Sequence, residues 1–263
     1  MTSSELPLWD LSLLYGGVED PRLKADIDNI VPSAEKFAAK WRGNIEKTDA
    51  EGVLAALRDY EATLFAAIGP QVYAHLGYSL NAADPAFLTL MSQVHEIATK
   101  AHLHTIFFSL ELDRISDSKY MDILQTPSLA PYAHYLSETR RGKAHRLSEA
   151  EESVLALKAL SGRTAFVQLY SKLTNAFLFP SPEVENGGKA LTGSEILSYL
   201  KNPDREIRRK ALEIFAKAHE DSGAVIASVW NALALDHRQN VSLRKYHGIM
   251  EPVNEGNELS RKA

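Results

Sequence analysis

The sequence predicts a mainly α-helical protein, with long antiparallel helices in a helical domain and one small β-hairpin near residues 174–192. Helix-start signals followed by apolar residues three and four positions apart recur along most of the chain. Only one stretch breaks this pattern, because it is short, aromatic and rich in turn residues. We therefore predict an N-terminal long-helix bundle over residues 1–125 and a helical region with the hairpin over residues 126–263.

The first two helices have clear start signals. Asp20-Pro21 combines an acidic cap with a proline in the first turn and predicts a helix that continues to Trp41. Thr48 is predicted to cap the second helix, since Glu51 follows three residues later in the capping-box pattern. Gly69-Pro70 predicts a kink or break in that helix.

A third helix is predicted behind Asp84-Pro85. Its apolar positions alternate by four and three, which is typical of a coiled-coil-like seam. The seam consists of Phe87, Met91, Val94, Ala98, Ala101, Thr105, Phe108 and Leu112.

Six further elements are predicted after Pro127. Ser148 and Glu151 form a capping box that opens one helix, and Thr192 opens another after the hairpin. The aromatic stretch 175–180, the turn-rich stretch 181–188 and residues 189–192 form the predicted hairpin. The remaining predicted helices cover Ser128 to Tyr135, Asp204 to His219 and Ser222 to Tyr246.

The last stretch, residues 251–263, resembles a turn followed by the first turn of a new helix at Asn257 to Ala263. Two interpretations are open: a frayed tail, or a chain that is cut in the middle of an element.

Composition excludes several classes of partner. The net charge of −5 and the pI of about 6.0 provide no basic field for nucleic acid or anionic lipid. The chain has no cysteine, which excludes disulfides and thiolate metal sites. No positively charged signal-peptide region and no apolar run of membrane-spanning length is present. We therefore expect a cytoplasmic protein with no nucleic-acid and no membrane partner.

The stretch His95-Glu96-Ile97-Ala98-Thr99-Lys100-Ala101-His102 invites comparison with the zinc-binding motif H-E-x-x-H. Its histidines are seven residues apart instead of four, which is about 10.5 Å along a helix. Since both lie beside the apolar seam and His104 points to another side, the sequence favours a solvated helix flank. A small metal enzyme that uses His95, His102 or His104 is a third hypothesis. His219-Glu220 does not match H-E-x-x-H either, because Gly223 occupies the position of the second histidine.

No other catalytic signature is present, so we predict no catalytic, cofactor-binding or metal-binding residue. The acidic residues Glu149, Glu151 and Glu152 are interpreted as helix capping and dipole complementation. Four basic residues lie close together in one predicted helix: Arg205, Arg208, Arg209 and Lys210. We interpret them as a salt-bridged, solvated helix face.

Five segments in order resemble the oligoendopeptidase F-like zinc peptidases, relatives of the thimet oligopeptidases. Trp9 to Tyr15 is similar to their W-D-L-s-x-L-Y opening, and Leu147 to Glu152 to their L-S-x-x-E-E helix, with Tyr170 to Leu173 as its Y-x-x-L ending. The hairpin lies where the family has one. Asp204, Arg208 and Ala211 are similar to the family's D-R-x-x-R-x-x-A helix. Trp230 to His237 resembles its N-x-L-x-x-D segment, and Leu243 to Tyr246 resembles its L-R-x-Y segment.

The resemblance implies a cytosolic oligopeptidase in which an H-E-x-x-H helix and a later glutamate hold one zinc ion that activates water. It also implies a deep channel for short peptides. In the family, the catalytic helix follows the L-R-x-Y segment, which is the last one matched here. We therefore expect zinc to bind in the full-length family member and not to this chain, whose partners would be short peptides and the missing C-terminal catalytic half.

Two functional hypotheses follow. The first is the N-terminal, substrate-channel-forming part of such a peptidase, inactive by itself. The alternative is a stand-alone, non-catalytic helical interaction module. A severed half should expose a large apolar patch, whereas a complete module should not.

Overall fold

The computed structural model describes residues 9–81, 84–184 and 188–260 and confirms a mainly helical fold. The chain divides into two compact units. Unit 1 comprises Met1–Lys158 together with Arg244–Ala263, and unit 2 comprises Ala159–Leu243. The predicted division into residues 1–125 and 126–263 stays a prediction. Within the described ranges, no helix has both the length and the apolar character needed to cross a membrane.

Three long helices that pack against one another form the centre of unit 1. They are α1 (Pro21–Trp41), α2 (Ala50–Leu80) and α3 (Pro85–Arg114). The predicted caps of α1 and α3 are confirmed, because the carboxylates of Asp20 and Asp84 accept bonds from backbone N–H groups in the first turns.

The largest core cluster lies in unit 1 and is built around aromatic side chains. The rings of Phe37 and Phe108 meet edge to face with their centroids 5.4 Å apart. The predicted seam of α3 supplies part of this core, because its C-terminal positions from Ala101 to Leu112 are buried. Other buried members of the cluster include Trp41, Ile45, Leu57, Phe107, Ile115, Tyr120 and Leu136.

Helix α2 differs from its prediction at two points. Its cap is Asp49, whose carboxylate accepts from the Gly52 N–H at 2.9 Å, and not Thr48. Of the predicted kink or break at Gly69-Pro70, the break is wrong, since the helix continues through a buried Pro70, and the kink stays a prediction. Proline removes one helical hydrogen bond, but burial of neighbouring residues such as Tyr73 against the other helices offsets that loss.

Shorter helices of unit 1 follow: α4 (Asp117–Gln125), α5 (Ala133–Arg141) and α6 (Glu149–Ser161), whose last three residues belong to unit 2. The predicted helix from Ser128 to Tyr135 is found in two parts, a 3₁₀ helix at Pro127–Tyr132 and the start of α5 behind it. Pro131 has no N–H to donate to the carbonyl four residues earlier, which favours the tighter helix.

The capping box at the start of α6 is confirmed. Ser148 N donates to Glu151 Oε2 at 2.9 Å, and Glu151 N donates to Ser148 Oγ at 3.4 Å. The two residues thus satisfy each other's backbone donors at this helix end.

The described part of unit 2 contains four α-helices, α7 (Arg163–Asn175), α8 (Gly193–Ser198), α9 (Arg205–Asp221) and α10 (Gly223–Leu243). The predicted helix start at Thr192 is confirmed, and Thr192 forms a capping box with Glu195 at the start of α8. The two predicted helices that follow correspond to α9 and α10. Helix α10 ends at Leu243 instead of Tyr246, since Lys245 adopts a φ of 57°, which is incompatible with a right-handed helix.

The predicted β-hairpin near residues 174–192 is wrong. Among the described residues of this region there is only one antiparallel bridge, in which Phe179 N and Leu191 N donate to each other's carbonyls at 2.9 and 2.8 Å. Pro180 and Pro182 have no N–H donors for a longer ladder, and Asn175 already belongs to α7. Residues 185–187 of the predicted turn lie outside the described residues.

The predicted new helix at Asn257 to Ala263 is also wrong over residues 257–260. The helix lies earlier, as α11 (Glu251–Gly256), where Pro252 occupies the first turn and the Glu251 carboxylate accepts from His247 N at 2.6 Å. Residues 261–263 lie outside the described residues.

Candidate functional site

The histidines that invite comparison with a zinc motif lie on α3. His95 and His102 are exposed, and Glu96 forms an ion pair with Lys100 at 2.8 Å. His104 lies 3.8 Å from a carboxylate oxygen of Glu35 on α1. The part of the chain that the structure describes contains no group of three or more histidine, cysteine, aspartate or glutamate side chains that could hold a metal ion.

A partly buried ion pair joins two of the segments that resemble the peptidase family. Arg244 donates to both carboxylate oxygens of Glu152, at 2.6 and 2.7 Å, although the two residues are 92 positions apart. The Leu147 N–H donates to the same carboxylate at 3.0 Å. Bidentate pairs of this kind fix both side chains in one geometry.

The backbones beside this ion pair are also joined. His145 Nδ1 lies 2.9 Å from the Arg244 carbonyl oxygen, and an Arg244 N–H donates to the His145 carbonyl at 3.2 Å. The His145 ring stacks on Tyr246 with a centroid distance of 3.8 Å. The Tyr246 hydroxyl in turn donates to Glu255 on α11 at 3.1 Å. These contacts hold the segments 145–152 and 244–255 together.

The electrostatics of this network favour the ionised pair. Burial raises the pKa of Glu152, but the hydrogen bonds from Arg244 and the Leu147 N–H outweigh burial, so the net shift of that pKa is downward. The hydrogen bond to Glu152 raises the pKa of Arg244. Burial, with the charge of Glu255, raises the pKa of Tyr246 to about 12. Tyr246 therefore stays neutral and acts as a hydrogen-bond donor.

A second ionic cluster lies in the same unit around Asp113. The Asp113 carboxylate pairs with Arg146, while its Oδ1 accepts no hydrogen bond from any residue that the structure describes. Burial raises the pKa of Asp113 against the lowering effect of Arg146. Arg140 donates at 2.9 Å to the backbone carbonyl of Ile115, the C-cap residue of α3.

Two surface cavities of about 300 Å³ each lie in unit 1. One lies beside the ion-pair network and is lined in part by Glu138, Arg141, Tyr246, Glu255 and Glu258. The other lies between α1 and α2 and is lined in part by Lys36, Phe37, Lys40 and Asp59.

Two of the three charged side chains that line the cavity between α1 and α2 neutralise each other. Lys40 forms an ion pair with Asp59 at 2.6 Å, and Trp41 Nε1 donates to the same carboxylate at 2.7 Å.

Unit 2 presents a different kind of surface. The buried apolar residues of its described part are Phe179, Leu191, Ile196, Ala211 and Val229. Helix α7 buries none of its residues, and Trp230 on α10 exposes 65% of its surface. Other exposed large apolar residues are Phe166, Val167, Leu169, Tyr170, Leu178, Leu197, Leu212, Val225 and Leu235. So much exposed apolar surface indicates an interaction site.

Comparison with known proteins shows that this chain is similar to oligopeptidases. The family model described as Oligopeptidase F matches residues 111–179. Oligopeptidase PepF of Bacillus subtilis is 23% identical over 237 residues, which cover 89% of this chain and 34% of that protein. The oligoendopeptidase F homolog of Borreliella burgdorferi is 24% identical over 242 residues, or 90% of this chain and 38% of that protein. These findings support an oligoendopeptidase F-like family, matched over its N-terminal region.

A solved structure is similar to this chain in its fold. The crystal structure of oligoendopeptidase-F from Enterococcus faecium matches with a TM-score of 0.77 at 23% identity and covers 91% of this chain and 47% of that one. The chain thus spans about a third of the length of the curated relatives that it matches. The segment matched by the family model includes Asp113, Arg146 and Glu152 from the two ionic clusters.

The interpretation of the acidic cluster at the start of α6 is correct for Glu151 and incomplete for its neighbours. Glu151 caps the helix, but Glu152 pairs with Arg244 and Glu149 pairs with Arg42. For the pair of Glu152 and Arg244, the available signal is that both residues lie inside segments that resemble the family. Their contact could not be deduced from spacing within one helix.

The predicted salt-bridged face on α9 is found for one arginine. Arg209 pairs with Glu206 at 2.9 Å and with Glu213 at 2.6 Å. Arg208 instead donates to the Asn202 carbonyl at 2.7 Å and holds the residues before α9.

Proposed function

We propose that this chain is the N-terminal, substrate-channel-forming part of an oligoendopeptidase F-type zinc metallopeptidase that hydrolyses short peptides. The exposed apolar surface of unit 2 is the observation that carries the proposal, because the N-terminal part of a larger fold needs further polypeptide to cover it. The comparisons support it, since the similarity extends over about nine tenths of the chain and about a third of the relatives.

The catalytic zinc site is proposed to lie on polypeptide outside these 263 residues. The residues that the structure describes do not fit such a site, because His95 and His102 are too far apart along α3 and lack a third ligand. We therefore propose that the chain by itself is inactive, and that the missing C-terminal catalytic half is its partner.

Peptide cleavage tests the catalytic part of this proposal. We expect the purified chain to leave an internally quenched octapeptide intact, with and without added zinc. Turnover that a chelator abolishes, and that disappears in the variant His95→Ala, would overturn it.

Binding of a hydrophobic dye tests the surface that carries the proposal. We expect strong fluorescence of an anilinonaphthalene dye with the native chain, and a clear decrease in the variants Trp230→Glu and Leu169→Glu. Leu13→Glu is the matched control, because Leu13 is 90% exposed on unit 1 and should leave the signal unchanged. Circular dichroism must show unchanged helix content in all three variants.

The same dye measurement distinguishes the proposed peptidase part from the alternative, a stand-alone helical interaction module. A complete module would bind little dye, and its fluorescence would be insensitive to the unit 2 substitutions. That result would favour the alternative over the peptidase part.

A further inference from the structure

The outward face of α2 carries an apolar stripe that the described chain leaves exposed. Leu64, Phe65, Ile68 and Val72 expose 46, 67, 43 and 40% of their surfaces. The opposite face of the same helix is buried in unit 1. Since Val72 lies eight residues beyond Leu64 along the helix, the stripe is about 12 Å long.

The two ends of the stripe carry groups of opposite character. Glu61 and His75 are both exposed. They lie on the same helix face as Phe65, Ile68 and Val72, because consecutive members of this series are alternately four and three residues apart. Each of the two lies seven residues, or about 10.5 Å, from Ile68. Leu64 and Val72 likewise lie four residues on either side of Ile68.

We propose that this face of α2 docks a second copy of the chain, antiparallel, with the two-fold axis at Ile68. In that arrangement Ile68 contacts its own counterpart, and Leu64 contacts Val72 of the second copy. Glu61 meets His75 of the second copy at both ends of the interface. A parallel arrangement would place Glu61 against Glu61, which like-charge repulsion disfavours.

One internal contact orients the charged end of the stripe. The Tyr132 hydroxyl donates to Glu61 Oε2, which holds the carboxylate on this surface and leaves Oε1 to accept a bond from the histidine. Because only a short stripe is buried on each copy, the interface is smaller than a standard one. We expect a weak dimer, with a dissociation constant between about 1 μM and about 1 mM.

Sedimentation equilibrium of the full chain tests whether α2 forms the interface. The native chain should dimerise as its concentration rises through this range, and the variants Phe65→Glu and Ile68→Glu should remain monomeric. Leu13→Glu, which also places a charge on an exposed apolar position of unit 1, should dimerise like the native chain. A native chain that stays monomeric, or a dimer that survives Ile68→Glu, would overturn the proposal.

A charge exchange tests the antiparallel orientation. We expect E61K and H75E each to weaken the dimer about three- to tenfold, because each brings like charges or an unpaired charge to both ends. The double variant E61K/H75E should dimerise at least as tightly as the native chain. Double-variant weakening equal to the product of the single effects would exclude the proposed pairing.

Cross-linking places the two-fold axis. The chain has no cysteine, so a single introduced thiol has no competing partner. Under copper phenanthroline and oxygen, Ile68→Cys should give a disulfide-linked dimer at least tenfold faster than Leu13→Cys, since only a position on the axis lies opposite itself. Equal rates would contradict an axis at Ile68 and would indicate random collision or association through unit 2.

Discussion

Arg244 stabilises unit 1 by a contact between residues that are far apart in the sequence. Its two hydrogen bonds to Glu152 and its bond to the His145 carbonyl connect the chain that follows α10 to the start of α6. Both charged groups are largely buried, so each depends on the other to offset its loss of hydration.

Removal of Arg244 should therefore be costly. We expect Arg244→Ala to lower the free energy of unfolding by about 1–3 kcal/mol, because Glu152 would keep its partly buried charge without a partner. Urea unfolding followed by circular dichroism measures the change. The matched control is Arg209→Ala on α9, where the ion pairs are exposed and the cost should be below about 1 kcal/mol. Equal effects of the two substitutions would contradict a special role of Arg244.

The same ion pair predicts a pH dependence. The pKa of Glu152 is lowered in the folded chain, so its contribution to stability is complete above the ordinary glutamate pKa of 4.5 and is lost as the pH falls through the lowered value. The difference in unfolding free energy between the native chain and Arg244→Ala should be constant near neutral pH and should shrink as the pH falls below 4.5 through the lowered pKa of Glu152. A difference that stays constant as the pH falls would mean that the glutamate charge is not involved.

At the scale of elements, the packing of α2 on α3 depends on a glycine. A Cβ at Gly77 would lie 2.0 Å from a ring carbon of Phe87, so only glycine lets the aromatic side chain sit on α2 at this point. Local propensity favours alanine over glycine in a helix, which makes the tertiary contact the deciding effect.

Gly77→Ala should therefore destabilise the chain by about 1–3 kcal/mol, despite its better helix propensity. Thermal unfolding by calorimetry or circular dichroism measures this. Gly223→Ala on α10 is the control, since no atom lies within 4 Å of the added Cβ and the expected change is between zero and a gain of about 1 kcal/mol. Similar gains at both positions would show that Phe87 moves aside at little cost.

The elements also show where local rules succeed. The caps at Asp20, Asp84 and Thr192 follow from the sequence, because a capping side chain bonds to a backbone N–H two or three residues away. The continuation of α2 through Pro70 does not follow, since contacts with other helices outweigh the local penalty. The bridge between Phe179 and Leu191 is too short for a hairpin, because the prolines beside Phe179 remove donors.

At the scale of the molecule, the two units differ in how much apolar surface they bury. Unit 1 has an extensive aromatic and aliphatic core around α1 to α3, whereas unit 2 has a small core around Phe179 and Ile196. Regions with few buried apolar contacts open more easily.

Amide hydrogen exchange should reveal this difference. We expect slower exchange in the middle of α3 than in α7 and α10 when the chain is studied alone, by about tenfold or more, since opening of unit 2 exposes little additional apolar surface. Mass spectrometry of peptic peptides measures it. Equal protection in the three helices would contradict the proposal that the surface of unit 2 requires further polypeptide.

The sequence by itself determined the helical class, most of the helix starts and the family resemblance, because these depend on local caps, apolar periodicity and the order of short motifs. The tertiary structure decided which motif residues meet. Glu152 and Arg244 are both visible in the sequence, but a contact across 92 residues follows only from the path of the folded chain. It also decided which apolar faces are buried and which, on α2 and in unit 2, stay exposed, since burial depends on neighbours that periodicity cannot identify.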